Sequence, residues 1–96
     1  MSEVMEMVRF TFAGGVDAAQ VAAGVEAWLA AQPGFRSRVL VGPDPDGHYT
    51  DLVRWATEAD AHAAMAAMEH SEVAMAFMAR IDPASVQMKH VPVVLG

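Results

Sequence analysis

The stretch that decides the fold runs from Phe35 to Ala56 and reads FRSRVLVGPDPDGHYTDLVRWA. Phe35 to Val41 and His48 to Ala56 are rich in β-branched, aromatic and aliphatic residues and read as strands. Between them, Gly42-Pro43-Asp44-Pro45-Asp46-Gly47 is a turn, because proline presets φ and Asp-Gly tolerates positive φ. The whole segment predicts a β-hairpin. Working upstream, Pro33-Gly34 stops a helix that starts with Asp17 as N-cap, Gln20 reaching back and Val16 stapled onto Val21. Val21, Val25, Trp28 and Leu29 then fall at i, i+4, i+7 and i+8, one apolar stripe. Before Ala13-Gly14-Gly15, Glu3 to Phe12 alternates with strand period. Downstream, Thr57-x-x-Asp60 opens a second helix through Ala61, Ala64, Met65 and Met68. A break at His70-Ser71 lets Ser71 cap a further helical stretch from Glu72 to Arg80, and Asp82-Pro83 ends it. Ser85 to Val91 is the last alternating strand. The order β-α-β-β-α-β within 96 residues predicts a ferredoxin-like α+β fold, a four-stranded antiparallel sheet with its helices on one face, and one domain over 1–96.

Composition narrows the function classes. Twelve Asp and Glu against six Lys and Arg give a net charge of −6, so the basic footprint of a nucleic-acid binder is missing. Hydrophobic residues make up 54% of the chain, yet no run approaches the roughly 20 apolar residues that span a bilayer. The chain has no cysteine, which removes disulfides and thiol nucleophiles. Its start, MSEVMEMVRF, carries acids where a signal peptide needs bases, so a cytoplasmic protein is expected. The tail Pro92-Val93-Val94-Leu95-Gly96 is apolar with no element left to cover it, which predicts an intermolecular contact.

Alternation divides each strand between two faces. The helix-facing set is expected to be Val4, Glu6, Val8, Phe10 and Phe12; Phe35, Ser37, Val39 and Val41; Tyr49, Asp51, Val53 and Trp55; and Val86, Met88 and His90. The open face then holds Met5, Met7, Arg9 and Thr11; Arg36, Arg38 and Leu40; His48, Thr50, Leu52 and Arg54; and Gln87, Lys89 and Val91, with five of the six Lys and Arg residues. A face that apolar and that charged suits an interface with a second copy, sheet against sheet. On the helix side the polar exceptions are Glu6, Ser37, Asp51 and His90, and buried polar groups carry the information. If Asp51 and His90 approach each other, the carboxylate orients the imidazole as a general base. Neither metal nor nucleotide cofactor is expected: His62 and His70 are eight apart, His48 lies by a turn, no HExxH occurs, and Gly14-Gly15 lacks the rest of a phosphate loop.

Four segments carry a resemblance: Pro33-Gly34-Phe35, Asp46-Gly47, Asp51-Leu52-Val53-Arg54-Trp55, and Ile81-Asp82-Pro83-Ala84-Ser85-Val86-x-Met88-x-His90. With them the chain resembles the dimeric α+β barrel proteins, which include antibiotic-biosynthesis monooxygenase-like and stress-responsive barrel domains. The resemblance implies a homodimer packed sheet to sheet, C-terminal segments crossing to the partner, and a pocket between sheet and helices in each protomer. Its oxygenases act on phenolic or anthrone-like polycyclic substrates with dioxygen and no cofactor. In quinone-forming members a strand-three tryptophan follows an asparagine by four residues; Trp55 matches the tryptophan, while Asp51 stands at the asparagine position. A heme-opening pattern, with Asn on strand one and Trp in helix two, is not met. The enzyme reading of this chain casts His90 as base and Asp51 as its orienting carboxylate. Trp55 and Tyr49 are its stacking walls, Ser37 another pocket residue, and His70 a gate or second acid-base group. The alternative is a non-catalytic stress-response or ligand-binding dimer, which Met65, Met68, Met75 and Met78 suit because methionine packs adaptably.

Overall fold

Each helix begins on a side-chain cap that the sequence placed correctly. In a computed structural model of the chain, which describes residues 3–96, Asp17 accepts from the Gln20 amide at 3.2 Å, Thr57 from Asp60 at 3.1 Å and Ser71 from Ala74 at 3.1 Å. Each satisfies one amide that the first helical turn leaves unpaired. The first two residues of the acidic start lie outside the described range. The elements are β1 (Val4–Phe10), α1 (Ala18–Ala30), β2 (Phe35–Val41), β3 (Tyr49–Trp55), α2 (Glu58–Met68), α3 (Glu72–Met78), a 3-10 turn at Pro83–Ser85, and β4 (Gln87–Pro92). The outer residues of the expected strands fall away: Phe12 makes only an isolated bridge to Ile81, and Ser85 joins the 3-10 turn. The sheet is antiparallel in the order β2-β3-β1-β4, the ferredoxin-like arrangement expected. No helix of the described residues is long and apolar enough to cross a membrane.

One residue shifts the phase of β2. Phe35 pairs with Trp55, but Ser37 pairs with Arg54, so Arg36 is an extra residue without an opposite number. Such a bulge sends every later side chain to the other face. Arg38 and Leu40 therefore point toward the helices, and Ser37, Val39 and Val41 toward the open face, the reverse of the expectation. Val39 and Val41 are 54% and 46% exposed, and Ser37 is exposed. Gly34 sets this entrance: its φ is +80°, a Cβ there would run into the Asp60 side chain, and its carbonyl accepts from Ala56 at 2.7 Å. A residue with a side chain fits neither the conformation nor the space.

The core divides in two. Phe10, Ala22, Val25, Ala74, Phe77 and Ile81 form one cluster, and Val4, Val53, Trp55, Ala61 and Ala64 the other. α2 explains why they do not merge. The residues it buries are Ala61 and Ala64, whose single methyl groups leave room above the sheet that Leu or Phe would fill.

Candidate functional site

That room is a cavity of about 220 Å³ between the two clusters, with walls from both. Most of the wall is apolar: Val8, Phe10 and Val53 from the sheet, Trp28 and Leu29 from α1, and Met65, Met68, Met78 and Met88, which can shift to fit a guest. Four residues bring polarity. They are Trp55, Arg38, Asp51 and Glu6.

Trp55 is 1% exposed, packs edge-on against Phe35 with centroids 5.9 Å apart, and its Nε1 has no hydrogen-bond partner among the described residues. A buried N–H left unpaired costs about 1–3 kcal/mol, so Trp55 carries a donor that the fold leaves unmatched.

Arg38 is the residue sequence reasoning put on the wrong face. Its side chain is 2% exposed. Nε and Nη2 donate to the Asp51 carboxylate at 2.8 and 2.7 Å, and Nη1 donates to the Ala22 carbonyl at 2.9 Å and to Glu26 at 3.1 Å. The guanidinium also lies over the Phe77 ring, 5.4 Å from its centroid. Burial, the largest influence, works to lower the Arg38 pKa, but the hydrogen bonds and charges of Asp51 and Glu26 together outweigh it and raise it. The guanidinium is thus permanently charged and fixed to β3, α1 and α3.

His90 is paired with Glu6 instead of Asp51. The two face each other across β1 and β4, and Nε2 of His90 lies 2.9 Å from Glu6 Oε2. Asp51 cannot reach into this pair, because β1 runs between β3 and β4 and the Asp51 carboxylate is held by Arg38. Glu6 lines the cavity, and His90 stands behind it.

The remaining expected site residues disperse. Tyr49 packs in the upper core, stacked on Phe10 at 6.3 Å and edge-on to Phe12 at 5.1 Å, and borders an outer groove of about 570 Å³ between α1 and β2. Ser37 sits on the open face, and His70 is exposed at the α2–α3 junction away from the cavity wall. Of the expected set, Trp55 and Asp51 reach the cavity. Glu6 is one of the polar exceptions on the helix-facing side, but alternation gives no sign that it, and not His90, meets the open space.

The chain matches no family model and no curated protein. Solved structures do resemble it. SnoaB, a cofactor-independent oxygenase from Streptomyces nogalater, is 23% identical with a TM-score of 0.70, the match covering 100% of this chain and 95% of that one. A monooxygenase from the ActVA-Orf6 gene of Streptomyces coelicolor, solved with nanaomycin D, is 17% identical with a TM-score of 0.71 over 99% and 90%. A Bordetella bronchiseptica protein, provisionally described as an antibiotic biosynthesis monooxygenase, is 16% identical with a TM-score of 0.81 over 99% and 100%. The chain carries the ferredoxin-like fold of the antibiotic-biosynthesis monooxygenase-like proteins across its whole described length.

Proposed function

We propose that the cavity binds a small planar phenol and that the protein oxygenates it with dioxygen and without a cofactor, as a homodimer. The observation that carries the reading is a mostly apolar cavity with Trp55 in its wall, whose buried Nε1 has no partner among the described residues and would donate to a phenolate or quinone oxygen that reached it. Volume limits the guest. An apolar cavity of about 150 Å³ takes benzene, and drug-sized ligands need roughly 300–1,000 Å³, so about 220 Å³ favours one or two rings over a tetracycle. The chemistry asked of the protein is small: hold the ring, exclude water and remove the hydroxyl proton. The phenolate transfers electrons to dioxygen, a ring carbon gains a hydroperoxide, and loss of water leaves the quinone, so that phenol plus O₂ gives quinone plus H₂O. Similarity of fold to SnoaB and to the ActVA-Orf6 protein supports this reading.

The phase shift of β2 supports the dimer reading. With Arg38 turned inward and Val39 and Val41 outward, the open face gathers Met5, Met7, Val39, Val41, Leu52 and Val91. Arg9, Arg36 and Arg54 on it already pair with Asp44 or Glu3 of the same chain. Such a face is more apolar than alternation alone predicted, and a second copy would cover it, with Val94 and Leu95 of the tail reaching across.

Oxygen uptake and quinone absorbance with 1- and 2-naphthol test the activity, and light scattering should give twice the 10.2 kDa chain mass. Trp55→Phe keeps a ring and removes the donor, and should weaken naphthol binding about fivefold to tenfold. Tight binding without oxygen uptake would favour the second reading, a ligand-binding dimer, which the four wall methionines also suit.

A further inference from the structure

The helix-facing side of the sheet holds two open spaces, and one residue belongs to the walls of both. The cavity of about 220 Å³ lies between the sheet and the three helices, and the outer groove of about 570 Å³ between α1 and β2. Among the described residues their walls share Arg38 and no other. Its contacts divide the same way. Nε and Nη2 hold Asp51 at 2.8 and 2.7 Å and the guanidinium lies 5.4 Å from the Phe77 centroid, both residues of the cavity wall. Nη1 donates to the Ala22 carbonyl at 2.9 Å and to Glu26 at 3.1 Å, both residues of the groove wall. A side chain 2% exposed and bonded on both sides cannot swing into either space without breaking charged hydrogen bonds. The unpaired Arg36 puts it there, since in the other phase of β2 Arg38 would face away from the helices. α1 makes the groove as α2 makes the cavity: Ala18, Ala19, Ala22 and Ala23 present single methyl groups where larger side chains would close onto β2. Alanine thus makes the room on each side of the guanidinium, and the arginine keeps the two rooms apart.

Resting on the phenol-binding reading above, we infer that Arg38 is the specificity-determining residue of the cavity: it closes the inner space off from the groove and so holds the phenol to one or two rings. Volume alone does not set this limit, because the space beyond the guanidinium is larger than the cavity itself. A longer ring system could enter that space only by displacing a buried, paired cation, and the separation of such a pair costs more than one further apolar edge returns. With the guanidinium gone, cavity and groove become one site. The Arg38 side chain therefore acts by occupying space and by being held there, and its charge serves to pin it.

The test compares two double variants of equal charge and different fill. Arg38→Met with Asp51→Leu and Arg38→Ala with Asp51→Leu both remove the ion pair; methionine keeps the partition as an apolar chain, and alanine opens it. Fluorescence titration with 2-naphthol, which has two rings, and 1-hydroxypyrene, which has four, gives the ratio of the two affinities for each protein. Wild type and the methionine variant should favour naphthol, and the alanine variant should shift the ratio toward hydroxypyrene by about tenfold or more. Ala23→Leu changes a residue that lines the groove and not the cavity. It should abolish the shift in the alanine variant and leave naphthol binding to the otherwise wild-type protein unaltered. Equal ratios in the two double variants, both folded and binding naphthol, overturn Arg38 as the partition and leave the cavity reading intact. Hydroxypyrene bound by wild type as tightly as naphthol does the same. If circular dichroism shows the alanine variant unfolded, a crystal of the wild-type protein soaked with 2-naphthol decides: rings confined to the Asp51 side of the guanidinium support the partition, and rings reaching the groove overturn it. Failure of the wild-type protein to bind either phenol overturns the cavity reading and this inference together.

Discussion

Two carboxylate pairs sit on the helix-facing side of the same sheet and differ in what they can do. Arg38–Asp51, on β2 and β3, has a guanidinium with 2% of its side chain exposed and bonds to four acceptors on β3 and α1. Glu6–His90, on β1 and β4, has a single contact between its members and then the ring of His62. Arginine cannot give up its proton in a protein, so its pair is a fixed charge and a fixed geometry. Histidine can, so the charge of its pair is not fixed in the same way. One sheet face thus holds a clamp at one side and a singly bonded pair at the other, with the cavity touching both.

The largest effect comes from breaking the clamp. Asp51→Ala leaves a buried guanidinium with only Glu26 and the Ala22 carbonyl, and Arg38→Ala leaves a buried carboxylate without its cation, and each should lower stability by about 3–5 kcal/mol. Against a total of about 5–15 kcal/mol for a domain of this kind, that is a large fraction, and urea unfolding followed by circular dichroism would read it. The double substitution Arg38→Met with Asp51→Leu should recover most of the loss, since no charge then remains buried. Single variants within about 0.5 kcal/mol of wild type would show that the pair is solvated and the comparison misdrawn.

Gly34→Ala attacks the same side through the backbone. The left-handed conformation costs a residue with a side chain about 1–2 kcal/mol, and the added methyl must displace Asp60, for a total near 2–3 kcal/mol. The loss should appear in the urea midpoint, and amide exchange should quicken first at Phe35, whose amide donates to the Gln32 carbonyl, and at Ala56, whose amide donates to the Gly34 carbonyl. Glu6→Gln should do less. Gln still fills the space and can bond His90, so about 1 kcal/mol or less is expected by the same unfolding assay. A loss as large as that of Asp51→Ala would make Glu6 a second clamp and remove the contrast.

These pairs also mark where sequence reading reaches and stops. Asp17, Thr57 and Ser71 were legible as caps because a cap is local: one side chain and the amide three residues on. The hairpin at Asp44 to Gly47 was legible for the same reason. The phase of β2 was not, since FRSRVLV alternates acceptably in either phase and one unpaired Arg36 decides between them. Val39 and Val41 looked like core and became open surface. The Asp51–His90 pairing failed differently. The fold already named puts β1 between β3 and β4, so strand order alone could have assigned His90 to Glu6. The cavity was hinted at by alanine at 61 and 64, but whether small residues leave a hole or let helices approach is settled only by packing.

A third ion pair, outside the helix-facing side, gives the smallest effect and calibrates the other two. Arg9 on the open face donates to Asp44 at 2.8 Å, and Asp44 also accepts from the amides of Asp46 and His48 at 2.9 and 3.0 Å, closing the hairpin turn. The Arg9 hydrogen bond, then the backbone bond from His48, hold the Asp44 carboxyl below its ordinary value of 3.8. The folded protein therefore binds this proton less readily than the unfolded chain. The resulting stabilisation is fully present above the ordinary aspartate range and is lost as pH falls through the lowered value. Both side chains are about one-third exposed, so salt screens the ionic part. Thermal melts of wild type and Asp44→Asn should differ by a constant small amount from about pH 5 to 7, begin to approach each other near about pH 4 and converge only below the lowered value. Added salt should shrink the gap for Asp44 and leave that for Asp51→Ala nearly unchanged. If salt reduced both alike, the Arg38–Asp51 pair would be as wet as the turn, and burial would no longer distinguish clamp from surface.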